Sequence, residues 1–163
     1  MTGRLDIEID ITGQTLTVHG SGTALPRIYP VSTALNGPGQ EKDSFCTPLG
    51  RHVIRARIGA GQPVNTVFRG RRPTGEIYRP EMREAEPGRD WILTRILWLS
   101  GLETGFNRLG NVDTMQRFIY IHGCPDDIVL GCPGSRGCVR MRNTDIVELF
   151  DLAAVGTPVV IHA

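Results

Sequence analysis

No stretch of the sequence approaches the ~20 consecutive apolar residues of a membrane-spanning helix, so no such span is expected. Neither sign of charge dominates. The chain has 18 Lys plus Arg against 17 Asp plus Glu, a formal net charge of +1. That balance provides no general field for nucleic acid or an anionic membrane, and neither partner is expected. Repeats, linkers and low-complexity segments are lacking, so residues 1–163 read as a single domain. An apolar leader is missing too. Met1-Thr2-Gly3-Arg4 runs into Leu5 to Ile11, where every second residue is charged, whereas a secretory signal needs an unbroken apolar core. The expectation is a cytoplasmic protein with four free thiols, or a periplasmic one if the chain is trimmed from an exported precursor.

Present in quantity are turn formers, Gly 20 and Pro 11, and an apolar content of 40% that suits a packed core. Leu5, Ile7, Ile9 and Ile11 alternate with Asp6, Glu8 and Asp10, the pattern of a strand with one wet face. Turns at Thr12-Gly13-Gln14 and Gly20-Ser21-Gly22 separate it from strands around Leu16–Val18 and Arg27–Val31. Further strands are predicted at Arg51–Ile58, Thr66–Arg69, Trp91–Leu99, Phe118–His122 and Val159–Ile161. Long loops cover 33–49, 101–115 and 123–137, and Pro80 opens a short helix ending before Pro87-Gly88. Residues 145–154 predict the one strong helix: Ile146, Leu149, Phe150 and Ala153 share a face, Asp145 and Glu148 resemble a capping box, and Gly156 stops it. The predicted fold is mainly β with one or two helices.

The chemistry concentrates in Ile121-His122-Gly123-Cys124 and Pro133-Gly134-Ser135-Arg136-Gly137-Cys138-Val139-Arg140-Met141. A cysteine nucleophile needs a base nearby, because a free thiol has a pKa of about 8.5. It also needs backbone N–H groups to hold an oxyanion, and Gly137 lets the backbone approach a substrate closely. His122 supplies the base, Cys138 the sulfur and the Ser135–Gly137 loop a nest for charge.

These residues resemble the L,D-transpeptidase catalytic domain family (YkuD type), whose pattern is His-Gly, a loop, then Ser-x-Gly-Cys-x-Arg. His122-Gly123, Ser135, Gly137, Cys138, Arg140 and Met141 match it, with Asn143 and Asp145 beginning the helix. Tyr29 to Thr33, Thr47-Pro48-Leu49-Gly50 and Gly156-Thr157-Pro158-Val159 extend the likeness over about residues 5–162. Arg136 stands where His or Lys is commoner, and Cys124 and Cys132 have no counterpart in the pattern. The resemblance implies a mixed β-sandwich or barrel and a cysteine enzyme acting on peptidoglycan stem tetrapeptides without a cofactor. In it Cys138 attacks the L,D bond before the terminal D-Ala, His122 shuttles the proton, and the Gly137 and Cys138 N–H groups hold the oxyanion. Arg140 shapes the loop or meets a substrate carboxylate. Arg136 and Tyr120 are further substrate-binding candidates. A cytosolic member meets soluble recycled muropeptides, so water is the expected acceptor and carboxypeptidase action the expected outcome. An exported cross-linking transpeptidase is the alternative.

Other readings stand beside these. His122, Cys124, Cys132 and Cys138 could be four zinc ligands of a non-catalytic module, although their spacing lacks the usual C-x-x-C knuckle. Loop packing is the simpler role for Cys124 and Cys132. Arg69, Arg71 and Arg72 read as a solvated turn, or as an attraction for anionic muropeptides. Trp91 and Trp98 read as core residues on opposite faces of one strand, and His19, His52 and His162 as structural or exposed.

Overall fold

The computed structural model describes residues 4–20, 22 and 25–163; Ser21 of the predicted second turn lies outside them, as do Met1 to Gly3. Ten strands are seen among the described residues: β1 (Asp6–Asp10), β2 (Thr15–His19), β3 (Arg27–Ser32), β4 (Gly50–Ile58), β5 (Thr66–Arg69), β6 (Arg72–Ile77), β7 (Ile92–Gly101), β8 (Tyr120–Gly123), β9 (Val139–Met141) and β10 (Pro158–His162). The helices are α1 (Pro80–Ala85) and α2 (Asn143–Leu152). The strands hydrogen-bond in the order β4-β10-β1-β2-β3-β9-β8-β7, and β7 pairs back onto β4, closing a barrel. The β5–β6 hairpin hangs from the start of β7. Pairs β1–β10 and β8–β9 are parallel and the rest antiparallel, so the barrel is mixed, as expected.

Alternation sorts the side chains. Ile7 and Ile9 of β1, Leu16 and Val18 of β2, and Val159 and Ile161 of β10 fill the main core, which α2 completes with Ile146, Leu149 and Phe150. Across β7, β8 and β9 the odd residues Leu97, Leu99, Ile121, Val139 and Met141 join that core. Their even neighbours Ile96, Trp98, Tyr120 and Cys138 collect on the opposite face with Phe68. The barrel wall thus presents one face to the core and the other to the chemistry.

Three local expectations change. Helix α2 begins two residues early, at Asn143, and its N-cap Arg142 makes no side-chain capping bond. Asp145 lies in the first turn, where its charge suits the helix dipole, and Glu148 turns outward to pair with Arg27 at 2.6 Å, so there is no capping box. Gly156, with φ 93°, serves the turn before β10 rather than the helix end. Trp91 precedes β7 and packs edge-on against Tyr78, while Trp98 is only half-buried, on the Tyr120 side of the wall. The Arg69–Arg72 turn is the tip of a hairpin, and β6 after it is a strand that its Pro- and Gly-bearing sequence, Arg72 to Ile77, concealed.

Candidate active site

Parallel pairing of β8 with β9 sets the site. Ile121 faces Val139 and His122 faces Arg140 across the ladder. Residues paired this way point to the same side, so Tyr120, His122, Cys138 and Arg140 share one face, with Cys138 the diagonal neighbour of His122. Ile96 and Trp98 of β7 continue that face, opposite His122 and Tyr120. Cys138 opens on a pocket of about 420 Å³ that Phe118, Tyr120, Asp90, Arg71 and Arg136 also line.

The Cys138 sulfur is half-buried. It accepts a hydrogen bond from the Tyr120 N–H at 3.3 Å, and its thiol lies 3.4 Å from the Phe118 carbonyl oxygen. Burial pushes the thiol up to about 12, although the Tyr120 N–H pulls the other way by favouring thiolate. His122 is fully buried. Its Nδ1 sits 2.7 Å from the Gly123 carbonyl oxygen, which only accepts, so Nδ1 carries the proton and Nε2 a lone pair. That Nε2 is buried without a partner among the described residues. Burial holds the imidazole below its ordinary range, against the pull of Asp90. Burial thus favours the thiol and the neutral imidazole over a preformed thiolate–imidazolium pair, and no hydrogen bond joins Cys138 Sγ to His122 Nε2 among the described residues. An unpartnered buried acceptor costs on the order of 1–3 kcal/mol, which marks His122 as more than a packing residue.

The glycine after His122 has a steric cause. A Cβ on Gly123 would lie 2.4 Å from Asn143 Oδ1 and 2.6 Å from the Leu93 carbonyl oxygen. The crowding comes from a bulge in β7 between Leu93 and Ile96, where Thr94 has φ 74°. A β-branched residue is seldom found there. Thr94 Oγ1 donates to Asn143 Oδ1 at 2.6 Å, and Asn143 Nδ2 reaches the Cys124 carbonyl at 2.9 Å. This buried network lies behind the His122 strand and holds its C-terminal end.

The loop before Cys138 is clamped from three sides. Gly134 and Ser135 N–H groups donate to the Thr33 carbonyl, and the Leu35 N–H donates to the Ser135 carbonyl. Thr47 Oγ1 donates to the Gly137 carbonyl at 2.8 Å and accepts from the Ala34 N–H at 3.0 Å. Gly137 has φ 131°, and a Cβ there would press on the Cys46 carbonyl and Ile119 at 3.2 Å. Ser135 Oγ accepts from the Gly137 N–H at 3.2 Å and donates to the Cys138 carbonyl at 2.5 Å. The Gly137 N–H expected to hold an oxyanion is thus already engaged, and Ser135 shapes the loop.

The other candidates separate. Arg140 bonds the Gly134 carbonyl at 3.1 Å and Asp90 at 3.3 Å, so it ties the loop to the segment before β7. Arg136 reaches the Gly88 carbonyl at 2.7 Å at the pocket rim. The Tyr120 hydroxyl accepts from Arg71 at 3.0 Å. Arg71, read as part of a solvated turn, in fact folds inward. Arg117, not anticipated, donates to the Gly39, Gln40 and Cys46 carbonyls and fastens the 33–49 loop beside the thiol. Cys124 is buried against the Met141 carbonyl, and burial pushes its thiol up to about 11. Cys132 is exposed, so the four-ligand zinc grouping is not assembled; among the described residues no three His, Cys, Asp or Glu converge on a metal position.

A family model described as the L,D-transpeptidase catalytic domain (YkuD) matches residues 4–161. The chain belongs to that family. No curated protein gives a match. Among solved structures it is similar to an L,D-transpeptidase from Mycobacterium smegmatis, at 21% identity and a TM-score of 0.56, covering 99% of this chain and 59% of that one. L,D-transpeptidase 3 from Mycobacterium tuberculosis gives 14% identity and a TM-score of 0.59, over 99% and 62%. An L,D-transpeptidase from Xylanimonas cellulosilytica gives 17% and 0.54, over 99% and 62%. At these identities the likeness concerns the fold, and this chain spans about three-fifths of the length of those structures.

Proposed function

We propose that the protein is a cysteine acyl-transfer enzyme acting on peptidoglycan stem tetrapeptides at the L,D bond before the terminal D-Ala. The observation that carries this reading is Cys138 at the floor of an open pocket, on one sheet face with a buried His122 whose Nε2 has no partner. In the proposed cycle Cys138 Sγ attacks the scissile carbonyl and its proton passes to His122 Nε2. The backbone N–H of Cys138 faces the developing oxyanion. Collapse breaks the C–N bond, the leaving amine of D-Ala takes the proton from His122, and a thioester remains on Cys138. Water then gives its proton to His122 and adds to the thioester. Breakdown returns the proton to sulfur and releases a tripeptide acid.

Water as the acceptor, soluble muropeptides as the donor and a cytoplasmic setting complete this proposal. Cross-linking is the second reading, and one observation favours it. A smaller pocket, lined by Lys42, Asp43 and Gln116, shares Arg117, Phe118 and Arg136 with the first and offers room for an acceptor amine. Mass spectrometry of products from a purified disaccharide-tetrapeptide, with and without excess D-amino acid, separates the two. Tripeptide alone is expected. Exchanged D-amino acid or dimers as the main product would establish transfer, and an untouched tetrapeptide would end the acyl-transfer reading.

A further inference from the structure

Resting on that reading, we propose that Arg71 binds a substrate carboxylate beside Cys138 and so sets specificity for a donor with a free carboxylate near the scissile bond. Arg71 occupies the two-residue turn between β5 and β6 with Gly70, at φ 65° and 55° respectively. Both angles are left-handed, as this hairpin turn requires, and arginine is an uncommon choice for such a position. The side chain does not leave for solvent. Its guanidinium lies 4.7 Å from the Trp98 ring centre and 4.9 Å from that of Phe118. One Nη donates to the Tyr120 hydroxyl at 3.0 Å.

Two further facts give this placement a ligand. Among the described residues Arg71 meets no carboxylate; Arg136 of the same pocket meets none either but is taken up by the Gly88 carbonyl, whereas Arg71 holds only a neutral hydroxyl. Arg140 has Asp90, Arg89 has Glu76 and Glu86, and Arg117 is taken up by carbonyls. Secondly, Tyr120 touches both partners in the chemistry: its N–H meets Cys138 Sγ and its hydroxyl meets Arg71. The guanidinium therefore lines the same pocket as the sulfur. The rings exclude water from part of its surface and fix its plane. The remaining N–H edge is left for a bidentate carboxylate. Two groups on a stem peptide fit: the terminal carboxylate of the leaving residue and a side-chain carboxylate of the third residue.

The test uses a charged and a neutral alkylating agent on the intact protein. Rates of carboxymethylation by iodoacetate and of carbamidomethylation by iodoacetamide are read at Cys138 by mass spectrometry, with the exposed Cys132 as internal reference. Relative to Cys132, the iodoacetate-to-iodoacetamide ratio at Cys138 is expected to be about tenfold higher, and R71Q is expected to remove that preference. R71K keeps a charge without the planar fork and falls between. R55Q removes an exposed charge from the other neighbour of Trp98, 5.6 Å from its ring centre, and keeps the wild-type ratio. A ratio that R71Q leaves unchanged, or that R55Q lowers equally, overturns the proposal. Tetrapeptides amidated at the terminal carboxylate or at the third-residue side chain then identify the source. The amidation that raises KM in wild type but not in R71Q marks the group held; no effect of either overturns the proposal. The alkylation ratio reads Arg71 even if no stem peptide is turned over, so the two readings fail separately.

Discussion

At the scale of the residue, the proposed chemistry rests on a sulfur and an imidazole that burial holds toward their neutral forms. Burial moves each group away from its charged form, and the Tyr120 N–H gives the sulfur a backbone donor. Iodoacetamide labelling of Cys138 is therefore expected to rise continuously from pH 7 to about pH 10, because thiolate keeps increasing below a thiol pKa of about 12. A plateau beginning below pH 7 would indicate a preformed thiolate–imidazolium pair. C138A is expected to abolish tripeptide formation while lowering the urea midpoint only modestly, since it removes one atom of a partly exposed residue at the edge of the Phe68, Ile96 and Tyr120 cluster. H122Q is expected to lower turnover by about 10²–10⁴-fold, the usual weight of a general base. Product formation by mass spectrometry checks both, and near-wild-type turnover in either variant would remove that residue from the mechanism.

Between elements, one threonine does more than its exposure suggests. Thr47, fully buried, joins the Ala34 N–H, two residues past the end of β3, to the Gly137 carbonyl one residue before the nucleophile. Replacing it by the isosteric valine leaves both partners buried and unpaired. T47V is expected to lose about 1–3 kcal/mol in urea unfolding and to slow turnover, with KM less affected than kcat. An unchanged midpoint would mean that the loop is held from elsewhere. The Thr-Pro-x-Gly run stood out in the sequence by resemblance alone. Its reason, a clamp across 90 residues of chain, exists only after folding. The capping box failed for a related reason: the helix is held by Ile146, Leu149 and Phe150 in the core, which outweighs a weak local preference.

Across the whole molecule, the barrel depends on its N-terminal strand. β1 lies between β10 and β2 and buries Ile7 and Ile9. At roughly 1.5–3 kcal/mol for each, before the two ladders are counted, deleting residues 1–12 removes much of a typical domain's stability of about 5–15 kcal/mol. The truncated chain is expected to show no cooperative unfolding transition. Acid should also weaken the fold. Buried His52 has Nδ1 3.0 Å from the Gly50 carbonyl and Nε2 3.0 Å from the Thr114 hydroxyl, an arrangement that satisfies the neutral ring. Burial lowers its pKa from 6.5 to about 4. The unfolded chain takes up this proton below about pH 6.5 and the folded chain only near pH 4, so stability is full above the first value and falls toward the second. The loss is on the order of 3 kcal/mol. Urea midpoints at pH 7 and pH 4.5 measure it, and H52Q should reduce that difference without abolishing it, because buried His122, also held below its ordinary range, keeps its own share.

The sequence by itself determined the β1 alternation, the β class of the fold and the residues of the catalytic candidate. Strand periodicity is local, and the His-Gly and Ser-x-Gly-Cys-x-Arg runs are short enough to be seen whole. Tertiary structure alone decided which neighbours those residues acquired. The parallel β8–β9 register put Cys138 and His122 on one face, and the β7 bulge made Gly123 obligatory. The turn at Gly70 and Arg71 carried onto Tyr120, 49 positions away, a charge that the sequence left between a solvated turn and an attraction for anionic muropeptides. Ser135 took the N–H meant for an oxyanion. Apart from the Ser135–Gly137 bond, which spans two residues, these are contacts between segments far apart in the chain, set by barrel closure and steric fit, and neither periodicity nor a motif encodes such a contact locally.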